Sequence, residues 1–161
     1  MKKRKMTSAL WLSVSAALIL IDWLSKRWAE TILAPQGTAS LIEGVIGFRY
    51  AENTGAAFSV FSGATALLSA FSLAVCAAVA VYMIRHPESG VLMQMSLSMV
   101  LAGGVGNLID RITRGYVIDF FELQFMEFAV FNVADICITA GAALLFIALL
   151  CGGEKNGRVD R

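Results

Sequence analysis

Four apolar runs, each close to twenty residues, constrain this chain more than any other feature: Thr7 to Trp28, Ala64 to Ile84, Ser89 to Ile109 and Asn132 to Leu150. A helix of about 20 mostly apolar residues crosses the hydrocarbon core of a bilayer, satisfying every backbone N–H and C=O within itself. The second and third runs hold no charged residue. The first holds Asp22, Lys26 and Arg27 near its end, and the fourth holds Asp135 near its beginning. The chain is 58% hydrophobic and 16% charged, against roughly 45–50% and 25% in soluble domains. The sequence therefore predicts an all-α polytopic membrane protein with helices over 7–28, 64–84, 89–109 and 132–150.

The basic start, Met1-Lys2-Lys3-Arg4-Lys5, resembles the head of a secretory signal peptide, but Asp22-Trp23-Leu24-Ser25-Lys26 follows where a cleavage site would stand. That predicts an uncleaved first helix. With the N-terminus cytoplasmic, four crossings leave both termini and the link Arg85 to Glu88 inside, together with eight of the thirteen Lys and Arg residues. The positive-inside rule favours this orientation. Segments 29–63 and 110–131 then lie outside. Leu41 to Phe61 mixes β-branched and aromatic residues with glycines, and Asn53-Thr54-Gly55 reads as a turn between short strands. A small extracytoplasmic β-rich cradle resting on the membrane is expected, within a single membrane domain spanning 1–161.

Several chemistries are disfavoured. A net charge of +1 gives no basic surplus for a nucleic-acid partner. Cys76, Cys137 and Cys151 show no metal-ligand spacing and read as small buried hydrophobes. The single histidine, His86, cannot make a two-histidine zinc motif. No metal or cofactor is expected. Gly104-Val105-Gly106-Asn107 follows no strand, so Ala102 with Gly106 reads as small-residue helix packing.

The polar residues of the apolar runs gather at the outer ends: Asp22 and Lys26 on the first helix, Asn107, Asp110 and Arg111 around the end of the third, Asn132 and Asp135 at the start of the fourth. Asp22 with Lys26 and Asn107 with Arg111 are spaced i,i+4, and Asn132 with Asp135 i,i+3, so each pair shares a face where the helix continues through it. Near the interface Asp22 and Lys26 are equally well explained as a simple ion pair. Asp135 has no basic neighbour at those spacings. Asp119, in Val117-Ile118-Asp119-Phe120-Phe121, brings a carboxyl group among hydrophobic neighbours, where burial raises its pKa. Should Asp119 and Asp135 converge, they share one proton, and the pair can activate water and polarise a carbonyl as aspartic proteases do.

Five ordered blocks carry a resemblance: Asp22-x-x-x-Lys26, Asn53-Thr54-Gly55-Ala56-Ala57-Phe58-Ser59, Gly104-Val105-Gly106-Asn107-Leu108-Ile109-Asp110-Arg111, Gly115-Tyr116-Val117-Ile118-Asp119-Phe120 and Phe131-Asn132-Val133-Ala134-Asp135. Together they resemble the lipoprotein signal peptidase family, signal peptidase II. The resemblance implies an aspartyl endopeptidase of the bacterial cytoplasmic (inner) membrane, active at the outer leaflet. Its substrate would be a diacylglyceryl-modified prolipoprotein, cut before the lipidated cysteine. It implies Asp119 and Asp135 as the catalytic pair. Asp22, Lys26, Asn53, Gly55, Asn107, Asp110, Arg111 and Asn132 would support the dyad or the substrate, with Asn53 pairing backbone groups freed as the signal peptide unwinds. Membrane lipid, globomycin-type inhibition and a monomeric state belong to the same expectation. Ala129, two residues before Phe131, stands where many members have proline.

The residues alone leave other readings open. Intramembrane carboxylates with a lysine also make ion or proton paths in small transporters and channels, and several aspartates can hold magnesium in a lipid-modifying enzyme. A non-catalytic membrane scaffold would tolerate loss of both Asp119 and Asp135.

Overall fold

The computed structural model describes residues 8–55 and 65–153. The basic termini, Ala56 to Ser59 of the Asn53 block and the expected strand region up to Phe61 lie outside the described residues. Among the described residues, four helices are long and apolar enough to cross a membrane, and a three-stranded antiparallel sheet accompanies them. Helix α1, Ser8–Trp28, continues through a π-helical turn, Ala29–Leu33, into a last turn α2, Ala34–Gln36. Strands β1, Thr38–Ile42, and β2, Ile46–Asn53, follow. Helices α3, Thr65–Arg85, and α4, Val91–Arg114, lead to strand β3, Val117–Leu123, and helix α5, Val133–Gly153.

The helices are dressed for lipid. Large apolar side chains stand exposed along them, including Leu67 at 65%, Phe71 at 68% and Phe146 at 64%, as expected where hydrocarbon is the surrounding medium. Helix α4 is different, packing against α1, α3 and α5 and burying Gln94, Ser96, Ser98, Gly103, Gly106 and Asn107. Small and hydrogen-bonding residues suit it to the centre, because dispersion packing and interhelical hydrogen bonds draw membrane helices together. Ser98 donates to Trp11 O and Ser15 donates to Ser98 O, so these serines tie α1 to α4. A Cβ on Gly103 would collide with the carbonyl oxygen of Ala134, and one on Gly106 would lie 2.5 Å from Asp22 Oδ2. The close approach extends to Gly103 beyond the expected Ala102 and Gly106. Cys76 and Cys137 are buried as expected. Cys151 is exposed, because it stands at the end of a lipid-dressed helix.

Strand order is β1-β2-β3, so the cradle draws on both outer segments. The turn between β1 and β2 falls at residues 43–45, where Gly44 takes a positive φ of 73°; at Asn53-Thr54-Gly55 the Gly55 N–H turns back to Asn53 Oδ1 at 2.9 Å, and the residues after Gly55 lie outside the described ones. Asn53 ends β2 and pairs with Val117. On β3 successive side chains alternate. Ile118 and Phe120 pack with Ala29 and Leu33 beneath the sheet, while Val117 and Asp119 face a cleft on the other side. Trp28 meets Phe48 edge-on at 5.1 Å and Phe120 at 6.0 Å, seating the sheet on the end of α1.

Two elements run past the sequence reading. Helix α4 continues to Arg114, so Asp110 and Arg111 are helical, and it stops at Gly115 with a left-handed φ of 84° and the Gly115 N–H bonded to Arg111 O. Asn132 lies one residue before α5. It therefore meets Asp135 as a helix cap rather than as a neighbour on one helical face.

Candidate active site

The start of α5 is built by reciprocal capping. Asn132 Oδ1 accepts the Asp135 N–H at 2.9 Å, and Asp135 Oδ2 accepts the Asn132 N–H at 3.1 Å. This is a capping box, with Asn and Asp in the places usually held by Ser or Thr and Glu. It fixes the Asp135 carboxyl beside the first turn of α5, leaving Oδ1 to accept from Asn107 Nδ2 at 2.8 Å.

Asp119 comes from the sheet. Asn53 stands diagonally across from it, since Ala51 pairs with Asp119 and Asn53 with Val117. Asn53 Nδ2 donates to Asp119 Oδ2 at 3.0 Å, while Asn132 Nδ2 donates to Asp119 Oδ1 at 2.7 Å. Asn132 thus touches both carboxyl groups, one through its side chain and one through its backbone. Asp119 is 3% exposed. Burial first, and Asp135 second, raise its pKa from the ordinary 3.8 to about 7, against the opposing hydrogen bonds from Asn53 and Asn132.

Beneath the pair lies Lys26, 2% exposed, with Nζ 2.9 Å from Asp22 Oδ2, 3.0 Å from Asp110 Oδ2 and 2.9 Å from Asn107 Oδ1. The simple ion pair of the sequence reading is therefore part of a larger network. Asn107 Oδ1 also accepts from Asn132 Nδ2 at 3.1 Å. Two donors on that oxygen fix the orientation of the Asn107 amide and aim its Nδ2 at Asp135. Asp22 Oδ1 accepts the Ala134 N–H at 2.8 Å, filling a second donor of the α5 N-terminus. Asp110 Oδ2 also accepts the Ile118 N–H at 3.3 Å, joining the end of α4 to β3.

Arg111 donates from Nη2 to Gly55 O at 3.1 Å, and the Gly55 N–H is held by Asn53 Oδ1 at 2.9 Å. Every residue singled out in the sequence thus falls within one connected polar cluster. The sequence reading missed Arg114 and Glu30. Arg114 pairs with Asp110, Nε to Oδ1 at 3.3 Å, and with Glu30, extending the network outward. The Asp110–Arg114 spacing of i,i+4 was the available signal, hidden by the expectation that the helix ends at 109.

The cluster opens on a cleft of about 740 Å³ between α3, α4 and α5. Asn53, Asn107, Arg111, Asp119 and Asp135 edge it, and the remainder of its wall is largely apolar, with Leu68, Phe71, Phe131 and Ile138 prominent. Two carboxyl groups at the mouth of an apolar cleft can hold one proton between them, bind a water and engage a carbonyl of an extended chain.

A family described as signal peptidase (SPase) II matches residues 14–151. A lipoprotein signal peptidase of Clostridium acetobutylicum is 41% identical over 150 residues, covering 91% of this chain and 97% of that protein. One from Lactobacillus johnsonii is 39% identical over 152 residues, covering 94% and 99%. Among solved structures, a bacterial membrane enzyme determined by the in meso method at 2.3 Å resolution superposes with a TM-score of 0.84 at 24% identity, covering 95% of this chain and 93% of that one.

Proposed function

The chain belongs to the signal peptidase II family, and on that premise we propose that Asp119 and Asp135 are its catalytic dyad. The enzyme is a multi-pass membrane protease that removes signal peptides from prolipoproteins. The observation that carries the dyad is the convergence of the two carboxyl groups on one cleft through Asn132, which donates to each.

The chemistry follows from the shared proton. The ionised carboxylate takes a proton from water as the water oxygen attacks the scissile carbonyl carbon. The protonated partner donates to the carbonyl oxygen, where negative charge develops, and a proton then passes to the departing amide nitrogen. Asn107 and Asn132 hold the carboxyl groups, and Lys26, shared between Asp22 and Asp110, fixes Asn107 from below. Asn53 and Arg111 stand at the mouth, where Gly55 links them.

The substrate in this reading carries diacylglycerol on the cysteine after the cut. The lipid anchor holds the scissile bond near the headgroups, where water is available, and the exposed apolar helices put membrane lipid beside the cleft. Globomycin-type peptides would occupy the same cleft. The protein works as a monomer forming one membrane domain over 1–161, in the bacterial cytoplasmic membrane, with both termini cytoplasmic and the dyad at the outer leaflet. A transporter reading is not favoured, because the buried charged groups Asp22, Lys26 and Asp110 gather with Asp135 at one end of the bundle.

The test is cleavage of a purified diacylglyceryl prolipoprotein by detergent-solubilised wild type, Asp119→Asn and Asp135→Asn, with a chelator present throughout. Wild type should cut, and both folded variants should lose roughly 10²–10⁴-fold or more in kcat. Normal cutting by either variant removes that aspartate from the dyad, and chelator-sensitive cutting by wild type favours metal-assisted hydrolysis.

A further inference from the structure

Glu30 and Arg114 extend the polar cluster outward, and neither belongs to the five blocks of the sequence. Asp22, Lys26 and Glu30 follow one another at i,i+4 along α1 and the π-helical turn that continues it, and Asp110 and Arg114 are i,i+4 on α4. Residues at that spacing share a helix face. The two rows meet as a ladder of alternating charge: Lys26 Nζ lies 3.0 Å from Asp110 Oδ2, and one turn further out Arg114 pairs with Glu30. The rung nearer the surface is carried by the π-helical turn, an irregularity frequent at functional sites.

Both arms of the dyad hang on Asp110, which is 3% exposed. Its Oδ2 accepts from Lys26 Nζ and from the Ile118 N–H at 3.3 Å. Lys26 leads through Asn107 to Asp135, and Ile118 is the residue before Asp119 on β3. One carboxylate oxygen therefore bears on both catalytic carboxyl groups. Held at that oxygen alone, the carboxylate could pivot and carry both partners out of line. Its second oxygen, Oδ1, accepts from Arg114 Nε at 3.3 Å, and Arg114 Nη1 donates in turn to Glu30. The planar guanidinium spans two carboxylates in a fixed fork, which a lysine ammonium on its flexible stem does not reproduce.

We propose that Arg114, braced by Glu30, is a positioning residue for the dyad, fixing the Asp110 carboxylate and through it the carboxyl groups of Asp135 and Asp119. Glu30, Asp110 and Arg114 are not among the described residues that line the cleft, so the role belongs to the chemical step rather than to substrate binding. Misplacing a reacting group by about 1 Å can cost on the order of 10²-fold in rate. Arg114 acts through Asp110, Lys26 and Asn107, and its share is smaller. The inference rests on the dyad reading of the same site.

The test uses the full chain in detergent with a synthetic diacylglyceryl prolipopeptide, and Asp135→Asn as the inactive control. Arg114→Met keeps an unbranched stem without the charge, and should lower kcat about tenfold at unchanged KM, the net worth of one hydrogen bond. Glu30→Gln should lower kcat about threefold, as expected for a part-exposed ion pair. The double variant should be no slower than Arg114→Met alone, because Glu30 acts through Arg114. Arg114→Lys, with the charge but not the fork, should stand within about threefold of wild type, and it carries the test where Arg114→Met does not fold. Arg27→Gln removes the other partner of Glu30, a side chain 48% exposed, and should leave kcat unchanged. Wild-type kcat in Arg114→Met or in Glu30→Gln, with wild type cutting and Asp135→Asn silent, overturns the positioning role and leaves the dyad standing. So does a loss that falls on KM, a double variant whose losses multiply, an Arg114→Lys no faster than Arg114→Met, or an equal loss in Arg27→Gln. A wild type that fails to cut, or an Asp135→Asn that cuts, overturns both.

Discussion

Asp119 sits on β3 with almost no exposure, and burial together with the neighbouring Asp135 raises its pKa to about 7 from an ordinary 3.8. The same shift enters activity and stability with different signs. A dyad that needs one shared proton loses it as pH rises, so kcat/KM should fall on the alkaline side with an apparent pKa near 7 belonging to the pair. For stability, the folded protein holds this proton up to about pH 7, whereas the unfolded chain releases it near 3.8. Stability from this group is therefore greatest below the unfolded value and is lost as pH rises toward 7, above which the folded state carries the whole penalty of a buried charge. Asparagine at 119 has no charge to bury. Thermal unfolding of Asp119→Asn should accordingly gain on wild type between pH 5 and pH 8, and an equal pH response in the two proteins would show that Asp119 ionises as freely folded as unfolded.

The N-terminus of α5 is the element on which the site turns. Its exposed N–H groups and positive dipole end attract carboxylates, and it receives two, Asp135 through the capping box and Asp22 from α1 through the Ala134 N–H. Asp22 reaches that position because residue 106 of α4 has no side chain. A Cβ there would stand 2.5 Å from Asp22 Oδ2 and 3.4 Å from Ala134 Cβ. Gly106→Ala should destabilise the protein by roughly 1–3 kcal/mol, the usual range for overpacking a close interface, and displace Asp22 from α5. Gly90→Ala is the control, since a Cβ there meets nothing within 4 Å. Equal unfolding midpoints for the two variants would show that α1, α4 and α5 are not held this closely. Much of this element was legible in advance, because long apolar runs announce helices and Asn132-x-x-Asp135 announces a paired spacing. The capping geometry was not. It depends on the helix beginning at Val133, a boundary that hydropathy does not mark. β3 was hidden for a related reason: its apolar residues face the π-helical turn after α1, a partner some ninety residues earlier in the chain that no local pattern announces.

At the scale of the molecule, sequence resolves what lies in the membrane better than what lies against what. Asp22, Lys26, Asn107 and Asp135 were each visible as polar residues near the outer ends of spans. That Lys26 joins Asp22, Asp110 and Asn107 is a consequence of α1 packing on α4, and a buried cation shared by two carboxylates is satisfied only once both helices are in place. Orientation is a separate, global matter, because the fold would be the same inverted and the charge bias of the loops alone selects between the two insertions. The orientation proposed above puts the link carrying Arg85 on the cytoplasmic side and the loop that follows β3 on the outer side. Cysteines introduced singly in a Cys151→Ser background test this: Glu127→Cys should react with a membrane-impermeant maleimide in intact cells, and Ser89→Cys should react after permeabilisation alone. The reverse pattern would put the dyad at the cytoplasmic face, where a prolipoprotein whose lipidated cysteine lies at the outer leaflet could not reach it. Labelling of both sites in intact cells would mean that the four helices do not cross the bilayer as a single up-and-down bundle.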